Sequence, residues 1–175
     1  NSKGNIRTTA LSVYEDASEC EVKIDETYGG GKNAEMDGEI NMTLDCVKNM
    51  DYIYGGAKNA NINNSVTVNI TNGTFKKVFG GNNESGTING DITVNVYEDG
   101  CQPIHIEELY GGGYLAPYSI YGYYLDENQK WQPRTKQQYE DELAALGENP
   151  TADQLSEAGL AGLPHRDPQV NVISA

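Results

Sequence analysis

Two carboxylates, Glu39 and Asp91, stand at equivalent places in the chain, each just before an alternating apolar run. Two strand spacings would set them about 9–10 Å apart. At that distance one carboxyl can protonate a leaving group while the other activates water. Ser65 occupies the intervening position and nothing else converges there, so solvated turn charges are expected. A lyase needs a base beside a substrate carboxylate, usually with acidic residues holding Ca²⁺. Arg7, Arg134 and Arg166 all lie off the repeated runs. His105 and His165 are isolated, which favours surface or loop roles over metal binding. Cys20, Cys46 and Cys101 lack zinc spacing. Cys20 and Cys46 fall one repeat apart, within bridging distance if stacked, but buried thiols are the default expectation. No catalytic residue and no metal ligand is assigned.

Aromatic side chains offer a different chemistry. Tyr114, Tyr118, Tyr121, Tyr123, Tyr124 and Trp131 crowd into one stretch. Exposed rings stack on sugar rings, and these six are the candidate binding residues. The competing expectation is that they dock this stretch onto the rest of the protein.

The elements that must position these residues follow from a repeat. Aromatic-Gly-Gly units begin at Tyr28, Tyr54, Phe79 and Tyr110, at intervals of 26, 25 and 31 residues. Three alternating runs accompany them: Ile40 to Leu44, Val66 to Ile70 and Ile92 to Val96. Alternation means one buried face. The expected inward set is Ile40, Met42, Leu44, Val66, Val68, Ile70, Ile92, Val94 and Val96, with Asn and Thr outward. Such faces are buried by stacking in register. The Gly-Gly corners are expected to turn the chain with positive φ and, being small, to let successive coils approach closely, and the preceding aromatics to stack on one another. Val-Tyr-Glu-Asp recurs at Val13 and Val96, so Ile6 to Val13 is expected to contribute an entry coil, with a degraded pattern.

These regularities predict an all-β fold, a right-handed parallel β-helix or solenoid of about five coils. Residues 1–175 are expected to form a single solenoid segment of a longer chain. An insertion of loops and short helices is expected over residues 114–169. Within it, Thr135 with Gln138 and Thr151 with Gln154 read as capping boxes, closed by Gly147 and Gly159. After Pro168, Val170-Asn171-Val172-Ile173 resumes the strand pattern.

Composition limits the function classes. The net charge of −14 repels phosphate backbones and anionic lipid, which argues against nucleic-acid partners. No apolar run is long enough to span a bilayer, so no membrane insertion is expected of this segment. Mean hydropathy is −0.61, suiting a thin core with much polar surface. No cofactor is assigned; Ca²⁺ is the one cation the acidic surface suggests, although the Gly-Gly-x-Gly-x-Asp calcium repeat is not matched.

The corners Tyr28-Gly29-Gly30-Gly31 and Tyr110-Gly111-Gly112-Gly113-Tyr114, with the stretches Asn89 to Val96 and Asp167 to Val172, resemble repeat proteins of gut bacteria of the Bacteroidetes type. The resemblance covers most of residues 20–124 and 163–175. It implies a large secreted or surface-displayed parallel β-helix with a pectin-lyase-like winding, and it transfers no catalytic residue. The expected function is therefore a non-enzymatic extracellular or cell-surface scaffold for adhesion or glycan binding through the insertion. Its expected partners are glycans, surface proteins and neighbouring coils of a longer chain. The alternative is a polysaccharide lyase or glycoside hydrolase whose active site is incomplete in this segment.

Overall fold

The structure, a computed structural model, describes residues 9–13, 23–98, 103–164 and 167–173. Tyr14 to Asp16, Cys20, Asp99, Cys101, His165, Arg7 and Arg166 lie outside the described residues, and so does the pairing considered for Cys20 with Cys46. Two compact units result: Asn1–Pro117 with Pro168–Ala175, and Tyr118–Asp167.

The first unit carries two parallel sheets. One consists of β1 (Thr9–Val13), β3 (Ile40–Leu44), β5 (Val66–Ile70), β7 (Ile92–Tyr97) and β11 (Gln169–Ile173), adjacent in that order. The other consists of β2 (Ile24–Tyr28), β4 (Val47–Tyr54), β6 (Gly73–Phe79) and β8 (His105–Tyr110). Register follows the repeat. Ile40 pairs with Val66 and Val66 with Ile92, so apolar side chains stack on apolar side chains. All nine residues of the inward set are buried. One-residue slippage would turn every one of them to solvent, which is why alternation specifies the register so strongly. Met36, Ile62 and Ile88 close a third side of the core through isolated parallel bridges.

Outward Asn residues hydrogen-bond their counterparts on the next strand. Asn95 donates to Asn69 at 2.9 Å, and Asn171 donates to Asn95 at 2.9 Å. The aromatics before the glycines form a continuous stack. Tyr28 and Tyr54 lie 5.0 Å apart, Tyr54 and Phe79 5.3 Å, and Phe79 and Tyr110 4.9 Å, all near parallel. Each such pair adds about 0.5–1.5 kcal/mol beyond area burial.

Of the two purposes expected of the corner glycines, positive φ and close approach, the structure has the second. None of the glycines in the four corners has positive φ. They are required instead by close approach. A Cβ on Gly29 would sit 2.2 Å from the Gly55 carbonyl oxygen, one on Gly55 2.3 Å from that of Gly80, and one on Gly80 2.4 Å from that of Gly111. The same Cβ positions also meet Ile40, Val68 and Ile92 of the facing sheet. Any side chain there would push both a neighbouring strand and the core outward.

The second unit holds β9 (Tyr123–Leu125) antiparallel to β10 (Trp131–Pro133), followed by α1 (Lys136–Ala145) and α2 (Ala152–Glu157). Both helices start at reciprocal capping boxes, Thr135 with Gln138 and Thr151 with Gln154. Gly147 at φ 98° and Gly159 at φ 68° follow their last turns, in the left-handed conformation that ends helices.

The all-β solenoid of about five coils is thereby corrected. The described residues combine one five-stranded and one four-stranded parallel sheet with a two-stranded antiparallel sheet and two α-helices, a mixed α/β arrangement. No closed helix is formed among the described residues. The physical reason is that, among the described residues, continuous parallel ladders run on two faces. The third side has single bridges, at Met36–Ile62–Ile88 and Asn59–Ser85, in place of a sheet. Prolines and capping boxes then divert residues 118–167 out of the parallel ladders altogether.

Candidate functional site

The six candidate aromatics are divided between the two units. Tyr114 belongs to the first unit, while Tyr118, Tyr121, Tyr123, Tyr124 and Trp131 belong to the second. Tyr114 is 56% exposed and meets Phe79 edge-on at 5.3 Å. Backbone N–H groups of Tyr114 and Leu115 donate to the carbonyls of Asn82 and Asn83, which fixes the chain leaving the fourth corner.

In the second unit, Tyr123 is only 5% exposed. Its hydroxyl accepts from the Ser119 N–H at 2.9 Å. Burial pushes its pKa up to about 12, against the lowering effect of that hydrogen bond. Tyr123 is therefore core, unavailable to a ligand. Tyr121 contacts Tyr139 of α1 at 5.6 Å, and the Tyr139 hydroxyl donates to the Leu163 carbonyl at 2.9 Å. Tyr118 and Tyr124 are half-buried.

Arg134 organises this unit and was not anticipated. Its side chain is buried, its guanidinium donates to the Tyr123 carbonyl and, at 3.1 Å, to Glu142. Its own carbonyl accepts from the Ser119 hydroxyl, and its N–H donates to the Gly122 carbonyl. The one sequence signal was its place between Pro133 and the cap Thr135.

Trp131 is left facing solvent. It is 42% exposed and pairs across the hairpin with Leu125, which is 46% exposed. The tip is rigid. Asp126 accepts from the backbone N–H groups of Asn128 and Lys130 and from the Gln132 amide, each at 2.9 Å. These bonds, the Lys130 N–H foremost, hold its carboxyl below the usual range. Gln129 completes the turn at φ 58°. The result is an apolar ring edged by polar groups on a fixed support, a combination suited to stacking on a sugar face.

The carboxylate pair has no such organisation. Glu39 and Asp91 are exposed residues just ahead of β3 and β7, and Ser65 between them uses its hydroxyl to accept from the Asp91 N–H at 3.1 Å. His105 is exposed on β8, opposite Thr74. Among the described residues no three His, Cys, Asp or Glu side chains gather as a metal site, and no helix is long and apolar enough to cross a membrane.

Comparison of the chain with protein-family models, curated proteins and solved structures finds no match. The functional reading rests on the residues themselves.

Proposed function

We propose that this chain is a non-enzymatic extracellular or bacterial cell-surface scaffold that binds glycans through the β9–β10 hairpin. The observation that carries the reading is Trp131, held solvent-facing beside Leu125 on a turn locked by Asp126. The parallel sheets support a scaffold role, because outward Asn residues of β5, β7 and β11 are used on one another. Of the six aromatics, Trp131 carries the binding and Tyr123 the fold.

A glycan array probed with the wild-type chain and with Trp131→Ala tests this. Loss of one stacking ring should weaken binding at least about tenfold, the equivalent of 1.4 kcal/mol. Unchanged circular dichroism would show that the hairpin survives. No glycan bound by the wild type, or equal binding by the variant, would refute the reading.

A further inference from the structure

The two parallel sheets turn different chemistry outward. On the four-stranded sheet, charged side chains pair across the strands, Lys76 with Asp51 at 2.9 Å and Lys77 with Glu108 at 3.0 Å. On the five-stranded sheet, the alternating runs of β3, β5 and β7 turn out only Asn41, Thr43, Thr67, Asn69, Thr93 and Asn95. None of the six is charged, in a chain with 26 acidic and 12 basic residues. β3, β5 and β7 are interior strands, with β1 on one side and β11 on the other. Their outward face is therefore not an edge of the sheet. Asn41 is exposed and the other five are half-buried among their neighbours.

These side chains form a grid. Register aligns Asn41, Thr67 and Thr93 in one row and Thr43, Asn69 and Asn95 in a second. Neighbours within a row lie about 4.8 Å apart, and the rows about 6.6 Å apart. The second row is locked, because Asn95 donates to Asn69 and Asn171 donates to Asn95, both at 2.9 Å. Each such bond uses one of an amide's two N–H groups and one of its oxygen's two lone pairs. A donor and an acceptor remain on each amide. Thr67 and Thr93 are β-branched and stiff about χ1. Side chains fixed in this way lose little freedom when a ligand arrives.

Charge selects the ligand. The grid has no cation to hold a carboxylate or sulfate. Glu39 and Asp91 stand exposed just ahead of β3 and β7, and Asp45 follows β3 directly. With a net charge of −14, these carboxylates repel an acidic polymer. An uncharged sugar hydroxyl donates and accepts at once, which matches what the amides and the threonine hydroxyls offer.

We propose that the outward face of β3, β5 and β7 binds an uncharged polysaccharide. Hydroxyls of successive sugars exchange hydrogen bonds with Thr67 and Thr93 in one row and with Asn69 and Asn95 in the other. Each neutral hydrogen bond contributes little by itself. Repetition across strands therefore favours a polymer over a single sugar. The surface belongs to the first unit and shares no residue with the β9–β10 hairpin, so the two readings can fail separately.

Affinity electrophoresis through gels containing xylan, mannan, mixed-linkage glucan or polygalacturonate tests this. Combining Thr67→Val with Thr93→Val removes two hydroxyls at nearly constant shape, and valine suits a strand as well as threonine does. Circular dichroism should be unchanged. At least one neutral polymer should retard the wild type, and polygalacturonate should not. The valine pair should weaken the apparent Kd at least fivefold, and serine at both positions should restore it. The same fivefold difference should persist in a Trp131→Ala background. Retardation by no neutral polymer, equal retardation by polygalacturonate, or indifference to the valine pair would overturn the proposal. Binding lost in Trp131→Ala but unaffected by the valine pair would overturn it and leave the hairpin reading standing. Sedimentation showing copies that associate until the valine pair disperses them would assign the face to a second copy instead, and would also overturn it.

Discussion

Gly55→Ala probes the reason for the corner glycines directly. The new methyl would lie 2.3 Å from the Gly80 carbonyl oxygen, 2.7 Å from Val68 Cγ2 and 2.9 Å from Val66 Cγ1. Ordinary carbon–oxygen contacts begin near 3.3 Å, so the two backbones must part by about 1 Å. They are held by the Gly55 N–H on the Phe79 carbonyl at 2.8 Å and the Gly56 N–H on the Gly81 carbonyl at 3.1 Å. A displacement of that size breaks both bonds, each contributing about 0.5–1.5 kcal/mol net. Overpacking against the two valines adds about 1–3 kcal/mol. The expected loss is roughly 4 kcal/mol, or about 8–16 °C in Tm for a chain of this size. Gly112→Ala is the matched control, because its Cβ meets nothing within 4 Å. There the substitution should stabilise by about 0.4–1 kcal/mol through the unfolded chain. Urea unfolding followed by circular dichroism measures both. Equal stabilities for the two variants would refute the close-approach argument and return the corner to a matter of backbone conformation.

Three further outcomes are expected. Tyr54 and Tyr123 both have pKa values pushed up to about 12, chiefly by burial. Each stays protonated in the folded protein while its unfolded counterpart ionises near 10, so the contribution of these two groups should be constant at neutral pH and up to about pH 9. It should fall by roughly 2–3 kcal/mol per residue as pH rises to 12; denaturation midpoints flat across pH 9–12 would contradict this. Arg134→Met removes the donors to the buried Tyr123 carbonyl and to Glu142. It should cost about 2–3 kcal/mol and speed amide exchange within residues 118–164, whereas unchanged exchange there would rule out its organising role. Phe79→Ala removes the ring between Tyr54 and Tyr110 and should cost about 3–5 kcal/mol by thermal melt, with a loss under 1 kcal/mol counting against the stack.

Much of the strand register was legible because it depends on local order. A period of two along Val66-Thr67-Val68-Asn69-Ile70 can bury one face only, and equal spacing between such runs aligns them. Both capping boxes were equally local, since Thr135 and Gln138 meet within one helical turn. The aromatics of residues 114–131 were not legible as a site. Tyr123 and Trp131 look alike in sequence, yet Arg134 and Ser119 close over the first and leave the second open.

From its sequence alone, this protein's repeat, its inward residues and its ring ladder could be assigned, because each is set by spacing along the chain and by side-chain size. Only the tertiary structure decided what the aromatic-Gly-Gly corner is for. Nothing in the Gly-Gly pair itself distinguishes a residue that must bend from one that must let a neighbouring carbonyl approach, because that carbonyl arrives from another repeat. The tertiary structure also decided the mixed α/β class, which depends on which elements meet in space, and a residue's neighbours across a parallel ladder lie 25 or more positions away.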